Sequence, residues 1–232
     1  MKTVRILSGG AAQGLVDSVR TAFEAQSGCT IDGVFGAVGA MKARLLSGEP
    51  ADLLILSRSL IDELAQVGHL APASIRDIGD VPTAVAVRSG DALPRLDTAG
   101  DLRDALRAAD EIHFPDSQLA TAGIHFAKVM RDLGVWDELA DRLRPAPNGA
   151  TAMAALAASR SARAIGCTQA TEILSTPGIV LAAPLPPGCA LATTYTCAVT
   201  SHGAAYKEAA TLVAMLTDRG SADLRNRLGF DQ

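Results

Sequence analysis

The sequence predicts an α/β fold of two lobes, each a mostly parallel sheet flanked by helices. Three observations lead there. Apolar runs of strand length alternate with segments of helical periodicity almost throughout the chain. One of those runs, LLIL at residues 53–56, is continuously apolar, as expected of a parallel strand buried on both faces. Proline breaks the rhythm twice, at Val81-Pro82 and at residues 184–188 (PLPPG), which marks two crossings between lobes. The lobes expected are residues 1–82 with 189–232, and residues 83–188.

Taken in order, residues 3–7 (TVRIL) read as a strand ending in Ser8-Gly9-Gly10, and Leu15, Val19, Ala22 and Phe23 recur at helical spacing up to Ser27-Gly28. Residues 30–35 form a second strand, and Met41, Leu45 and Leu46 mark the helix that stops at Ser47-Gly48. After the strand at 53–56 come a short helix (Leu60, Ile61, Leu64), a strand at 83–87, a helix at 102–107 and a strand at 111–114. Phe126, Met130 and Leu133 define one helix face, and short helices are expected at 136–143 and 151–158. Strands at 162–167, 179–183 and 195–199 precede a helix with Ala209, Leu212, Val213 and Leu216 on one face.

Composition narrows the function. With 21 basic and 25 acidic residues the formal charge is −4, aromatics make up 3%, and no basic stripe is present, so nucleic acid is excluded as the main partner. No run approaches the roughly 18 apolar residues of a membrane span, which excludes an integral membrane protein. Lys2 and Arg5 are followed only by Ile6 and Leu7 before Ser8, too little for a secretory apolar region. As it stands the chain is expected in the cytoplasm, or in the periplasm if a signal has been removed. Cys29, Cys167, Cys189 and Cys197 form no CxxC and have small apolar neighbours, so free core thiols are expected. Neither a metal nor a cofactor is called for.

Chemistry is expected at strand-to-helix corners rich in small residues. Ser8-Gly9-Gly10-Ala11-Ala12 is one, where glycine permits close backbone approach and a helix start offers N–H groups to an anion; a plain tight turn reads equally well. The spacing is neither GxGxxG nor a P-loop. Gly36-Ala37-Val38-Gly39 is a second corner, and Asp116-Ser117-Gln118 through Thr121-Ala122-Gly123 a third. Ser57-Arg58 adds a hydroxyl and a guanidinium suited to a carboxylate, with an exposed helix start as the bland alternative. Among the histidines, His69 and His202 read as surface residues and His113 as a satisfied strand residue. His125 lies one turn into a helix, within reach of a crevice. No nucleophile elbow or triad order supports a hydrolase.

These corners carry a resemblance. The opening strand, turn and helix, then FGAVGAMK at 35–42, GEPADLLILS at 48–57, Phe114-Pro115-Asp116 with ATAG at 120–123, LGVW at 133–136 and TQATE at 168–172 resemble the molybdate-type substrate-binding proteins of ABC transporters. The resemblance implies the type II periplasmic-binding-protein fold: two α/β lobes joined by a two-stranded hinge that close over a ligand in the cleft between them. It implies a monomer and, for an exported copy, an ABC permease as partner. Molybdate binders of this family use hydroxyls at the first two corners and often Tyr at a later one. Here Ala11, Ala37 or Val38, and Gln169 stand there, which favours a planar carboxylate over molybdate. Aconitate isomerase resembles a relative on this fold, so cofactor-free isomerisation by proton transfer is a second reading, and a ligand-sensing domain a third. Ligand contacts are expected from Ser8, Gly9, Gly10, Ala11, Val38, Gly39, Ser57, Arg58, Thr121, Ala122, Gly123, Thr168 and Gln169. An isomerase would need a proton acceptor, for which His125, Ser8 and Thr168 are the candidates.

Overall fold

The computed structural model describes residues 2–231. In chain order the strands are β1 (Lys2–Gly9), β2 (Cys29–Gly36), β3 (Leu53–Ser57), β4 (Arg76–Arg88), β5 (Glu111–Pro115), β6 (Leu143–Ala146), β7 (Ala164–Gln169), β8 (Ile179–Pro184) and β9 (Ala192–Val199). The α-helices are α1 (Gln13–Ser27), α2 (Val38–Leu46), α3 (Arg58–Gln66), α4 (Ala99–Ala108), α5 (Thr121–Asp132), α6 (Gly149–Ala158), α7 (Ala170–Leu174), α8 (Tyr206–Thr217) and α9 (Ala222–Arg227). The chain divides into two compact units, one running up to Val81 and resuming at Thr193, the other Pro82–Ala192.

In the first unit β1 pairs in parallel with β2 and β3, and β9 pairs antiparallel with β3. Every residue of β3 is buried, so its unbroken LLIL run is what a strand covered on both faces requires. From α1, Leu15, Val16, Val19 and Phe23 are buried, at the 3–4 residue spacing that puts them on one helix face. Gly28 ends that helix in the left-handed region at φ 68°, where glycine meets no steric penalty.

The second unit places β5 in parallel contact with β6 and β7, while β4 runs antiparallel to both β7 and β8. Its core is built around Phe114, which meets Phe126 edge-on at 5.7 Å and Trp136 at 6.2 Å between ring centroids. Such T-shaped pairs add about 0.5–1.5 kcal/mol beyond area burial. All four cysteines are free and buried.

The α/β rhythm is present, with three departures. Residues 136–143 form turns and one 3-10 turn (Ala140–Arg142) rather than a helix, and the chain then enters β6. The 3–4 spacing of Trp136, Leu139 and Leu143 reflects side chains of a turn tucked against the core, where Leu139 is buried and the Arg131 guanidinium lies 4.3 Å from the Trp136 ring centre. Pro145, which has no N–H to donate, is tolerated because β6 pairs on one side only. The strand expected at 83–87 is the second half of the 13-residue β4, whose first half is hidden by Arg76, Asp77 and Asp80. Helix α7, of five residues, is too short to register as periodicity.

Candidate functional site

In the first unit, the carboxyl ends of the parallel strands β1, β2 and β3 share one edge of the sheet. Each leads directly into a helix or a 3-10 turn whose first residues carry no side-chain cap: Gly10–Ala12 leading into α1, then α2 and α3. The first N–H groups of a helix have no intrahelical acceptor, so this edge presents backbone donors at the positive ends of helix dipoles. The corners are in contact. A Cβ on Gly9 would lie 2.8 Å from Val38 Cγ1 and 2.9 Å from Tyr195 Cε1, so glycine lets the end of β1 lie directly against these two side chains. Tyr195 is also the register partner of Ser57. Sequence reasoning saw Tyr195 only as a strand residue, although it is one of two tyrosines in the chain.

Side chains expected to bind are placed as follows. Ser8 is fully buried and its hydroxyl donates to the Gly9 carbonyl at 2.9 Å. Ala11, Val38 and Ser57 are buried, and Gly10 and Gly39 are half-buried. Arg58 is exposed. Its Nε donates to Asp62 at 2.9 Å and its Nη1 to Asp77 at 2.9 Å, and both carboxylates hold its guanidinium firmly charged.

In the second unit, α5 starts after β5 with Ala120 at its cap and no side-chain cap bond. Thr121 is half-buried, and Ala122 and Gly123 are buried. A Cβ on Gly123 would fall 2.2 Å from the Asp116 carbonyl oxygen, so glycine is needed for the helix to begin this close to β5. Asp116 Oδ1 accepts from the Gln118 and Leu119 N–H groups and closes the turn. His125 places Nε2 2.7 Å from the Cys189 carbonyl oxygen, a contact that makes Nε2 the protonated ring nitrogen.

Thr168 and Gln169 end β7, both buried. The Thr168 hydroxyl donates to Glu172 Oε2 at 2.6 Å. Gln169 is the cap residue of α7 and Glu172 its third residue, and the Glu172 carboxylate accepts from the N–H groups of Gln169 and of Ala150 in the first turn of α6. This is half of a capping box, extended to a second helix. Burial outweighs these donors and pushes the Glu172 carboxyl up from 4.5 to about 7. In the sequence Glu172 stands within TQATE as part of the resemblance alone, and the Q-x-x-E spacing is the signal that marks it as a cap partner. Among the described residues no group of three or more His, Cys, Asp or Glu is placed to hold a metal ion.

The profile described as bacterial extracellular solute-binding protein matches residues 4–230. The chain belongs to that family. Among solved structures, this solute-binding protein is similar to the periplasmic molybdate-binding protein of Azotobacter vinelandii, with a TM-score of 0.83, 15% identity and 99% of each chain covered. It is likewise similar to the sulfate-binding protein SubI of Mycobacterium tuberculosis, with a TM-score of 0.78 and 16% identity over 99% of this chain and 86% of that one. These establish the type II periplasmic-binding-protein fold. Among curated proteins, the aconitate isomerase of a Pseudomonas species is 26% identical over 229 residues, 95% of this chain and 84% of the relative. No helix among the described residues is long and apolar enough to cross a membrane.

Proposed function

We propose that this solute-binding protein takes a small organic di- or tricarboxylate, with molybdate or sulfate as poorer ligands. The observation that carries this is the edge where Gly9, Val38 and Tyr195 meet: three uncapped starts in the first unit supply backbone donors, while the Ser8 hydroxyl is turned onto its own chain. Backbone N–H groups at helix starts serve carboxylates and tetrahedral oxyanions alike, and it is the tetrahedral oxyanion that loses more when a hydroxyl such as that of Ser8 is turned away from the site. In this reading Ser8, Gly9, Gly10, Ala11, Val38, Gly39 and Ser57 line the first unit's share of the site with Arg58 at its exposed rim, and Thr121, Ala122, Gly123, Thr168 and Gln169 line the second's. Closure of the units over the ligand, a periplasmic location and an ABC permease partner belong to the same proposal.

A second reading is cofactor-free isomerisation of an unsaturated di- or tricarboxylate, favoured by the likeness to aconitate isomerase and by a buried carboxyl, Glu172, pushed up to about 7 and so able to exchange a proton near neutral pH. His125, Ser8 and Thr168 stay the candidate proton acceptors of that reading. Proton NMR in D2O of di- and tricarboxylates, cis- and trans-aconitate included, with substoichiometric protein separates the two. Ligand line-broadening without new species is expected for binding. Isomer peaks or deuterium uptake that scale with protein establish the enzyme, and spectra untouched by protein contradict both.

A further inference from the structure

The Glu172 carboxylate is a buried anion built in where β7 ends and α6 begins. It lies against the start of α6 so closely that a Cβ on Gly149 would be 1.9 Å from Oε2 and 2.3 Å from Thr168 Oγ1. It takes the Thr168 hydroxyl and the N–H groups of Gln169 and Ala150. Thr168 and Gln169 are the residues through which β7 would reach a ligand in the small-anion reading, and the Thr168 hydroxyl and the Gln169 N–H are already held by an internal anion. The elements packed most closely against α7, namely α6, β7 and β8, contain no Lys, Arg, His, Asp or Glu. The one other titratable group on them is Cys167, whose thiol burial keeps protonated.

We propose that Glu172 is an internal anion that competes with the ligand for the donors at the carboxyl end of β7, so that ligand binding draws a proton onto its carboxyl group. The proposal rests on the small-anion reading above and adds its regulation. Two effects act in the same direction: a ligand carboxylate nearby repels the Glu172 charge, and a protonated Glu172 holds the Thr168 hydroxyl and the two N–H groups less strongly. The carboxyl, at about 7 without ligand, is then poised to respond across the physiological range.

The test is calorimetric titration of the whole protein with trans-aconitate and with citrate, in buffers of different ionisation enthalpy, from pH 6 to 8.5, for wild type and Glu172→Gln. Wild type is expected to take up a fraction of a proton per ligand near pH 7.5, and its affinity to fall about threefold to tenfold across the range relative to E172Q. The ligand's own last ionisation is common to both proteins and cancels in that comparison. In the variant, Gln Nε2 can donate to a reversed Thr168 hydroxyl, and a second variant, Glu172→Asp, keeps the charge and should keep the proton uptake. Binding with no proton uptake, or with the same uptake in E172Q, overturns the role of Glu172 and leaves the carboxylate reading standing. No binding of either acid by wild type at any pH overturns both.

Discussion

At the scale of single residues, the glycines of the corners are the least replaceable positions. Gly149→Ala forces a methyl into the Glu172 carboxylate, and we expect it to cost about 1–3 kcal/mol in urea unfolding, as overpacking does. A stability equal to wild type would show that the carboxylate can move aside freely. Arg58 points to the opposite expectation. Because Asp62 and Asp77 already hold its exposed guanidinium, Arg58→Ala should change stability by under about 1 kcal/mol. Carboxylate affinity should change less than about threefold, well short of the 1–3 kcal/mol of a desolvated pair. A tenfold or greater loss of affinity would mean that the guanidinium leaves the aspartates for the ligand. The sequence shows a guanidinium at position 58 but not its partner Asp77, which lies 19 positions away on β4.

Among the elements, helix starts differ in how their first N–H groups are satisfied. Helix α4 carries a complete capping box, in which Thr98 Oγ1 accepts from the Asp101 N–H and Asp101 accepts from the Thr98 N–H. Thr98→Ala should therefore lose about 1 kcal/mol of stability, read by thermal or urea unfolding, with ligand affinity unchanged. An affinity loss larger than the stability loss would contradict the separation between structural and ligand-facing starts. Helices α2, α3 and α5, by contrast, begin at Ala37, Ser57 and Ala120 with no side-chain bond. The strand-helix alternation and the small-residue corners were legible because period and glycine content are local properties. The missing cap bonds were not, since a serine such as Ser57 reads as a cap in sequence while its hydroxyl lies 3.4 Å from Ser59 Oγ. Residues 136–143 misled for a related reason: 3–4 spacing records which side chains reach the core, and a turn satisfies it as well as a helix does.

Over the whole molecule, Glu172 and His113 set opposing pH trends. Glu172 is raised in the folded protein, from 4.5 to about 7, so the fold binds the extra proton. Its contribution is full below the unfolded value and is lost as pH rises through about 7, by at most about 3 kcal/mol. His113 is lowered, mainly by burial and only partly offset by Glu111, so its contribution grows as pH rises through the ordinary histidine range. Unfolding free energies of wild type and E172Q from pH 5 to 8.5 should therefore diverge with rising pH in favour of the variant. Parallel curves would place the Glu172 titration outside this window. If the two units close over the ligand, small-angle scattering should report compaction at saturation, and an unchanged radius of gyration would count against closure. The choice among small anions is the claim on which the rest depends. We would therefore titrate the ligand-free protein calorimetrically with tricarballylate, citrate and trans-aconitate, and in parallel with molybdate and sulfate. Saturable one-to-one binding of a polycarboxylate at least about tenfold tighter than either oxyanion, a difference of ~1.4 kcal/mol, is predicted. Tighter binding of molybdate or sulfate would contradict the account.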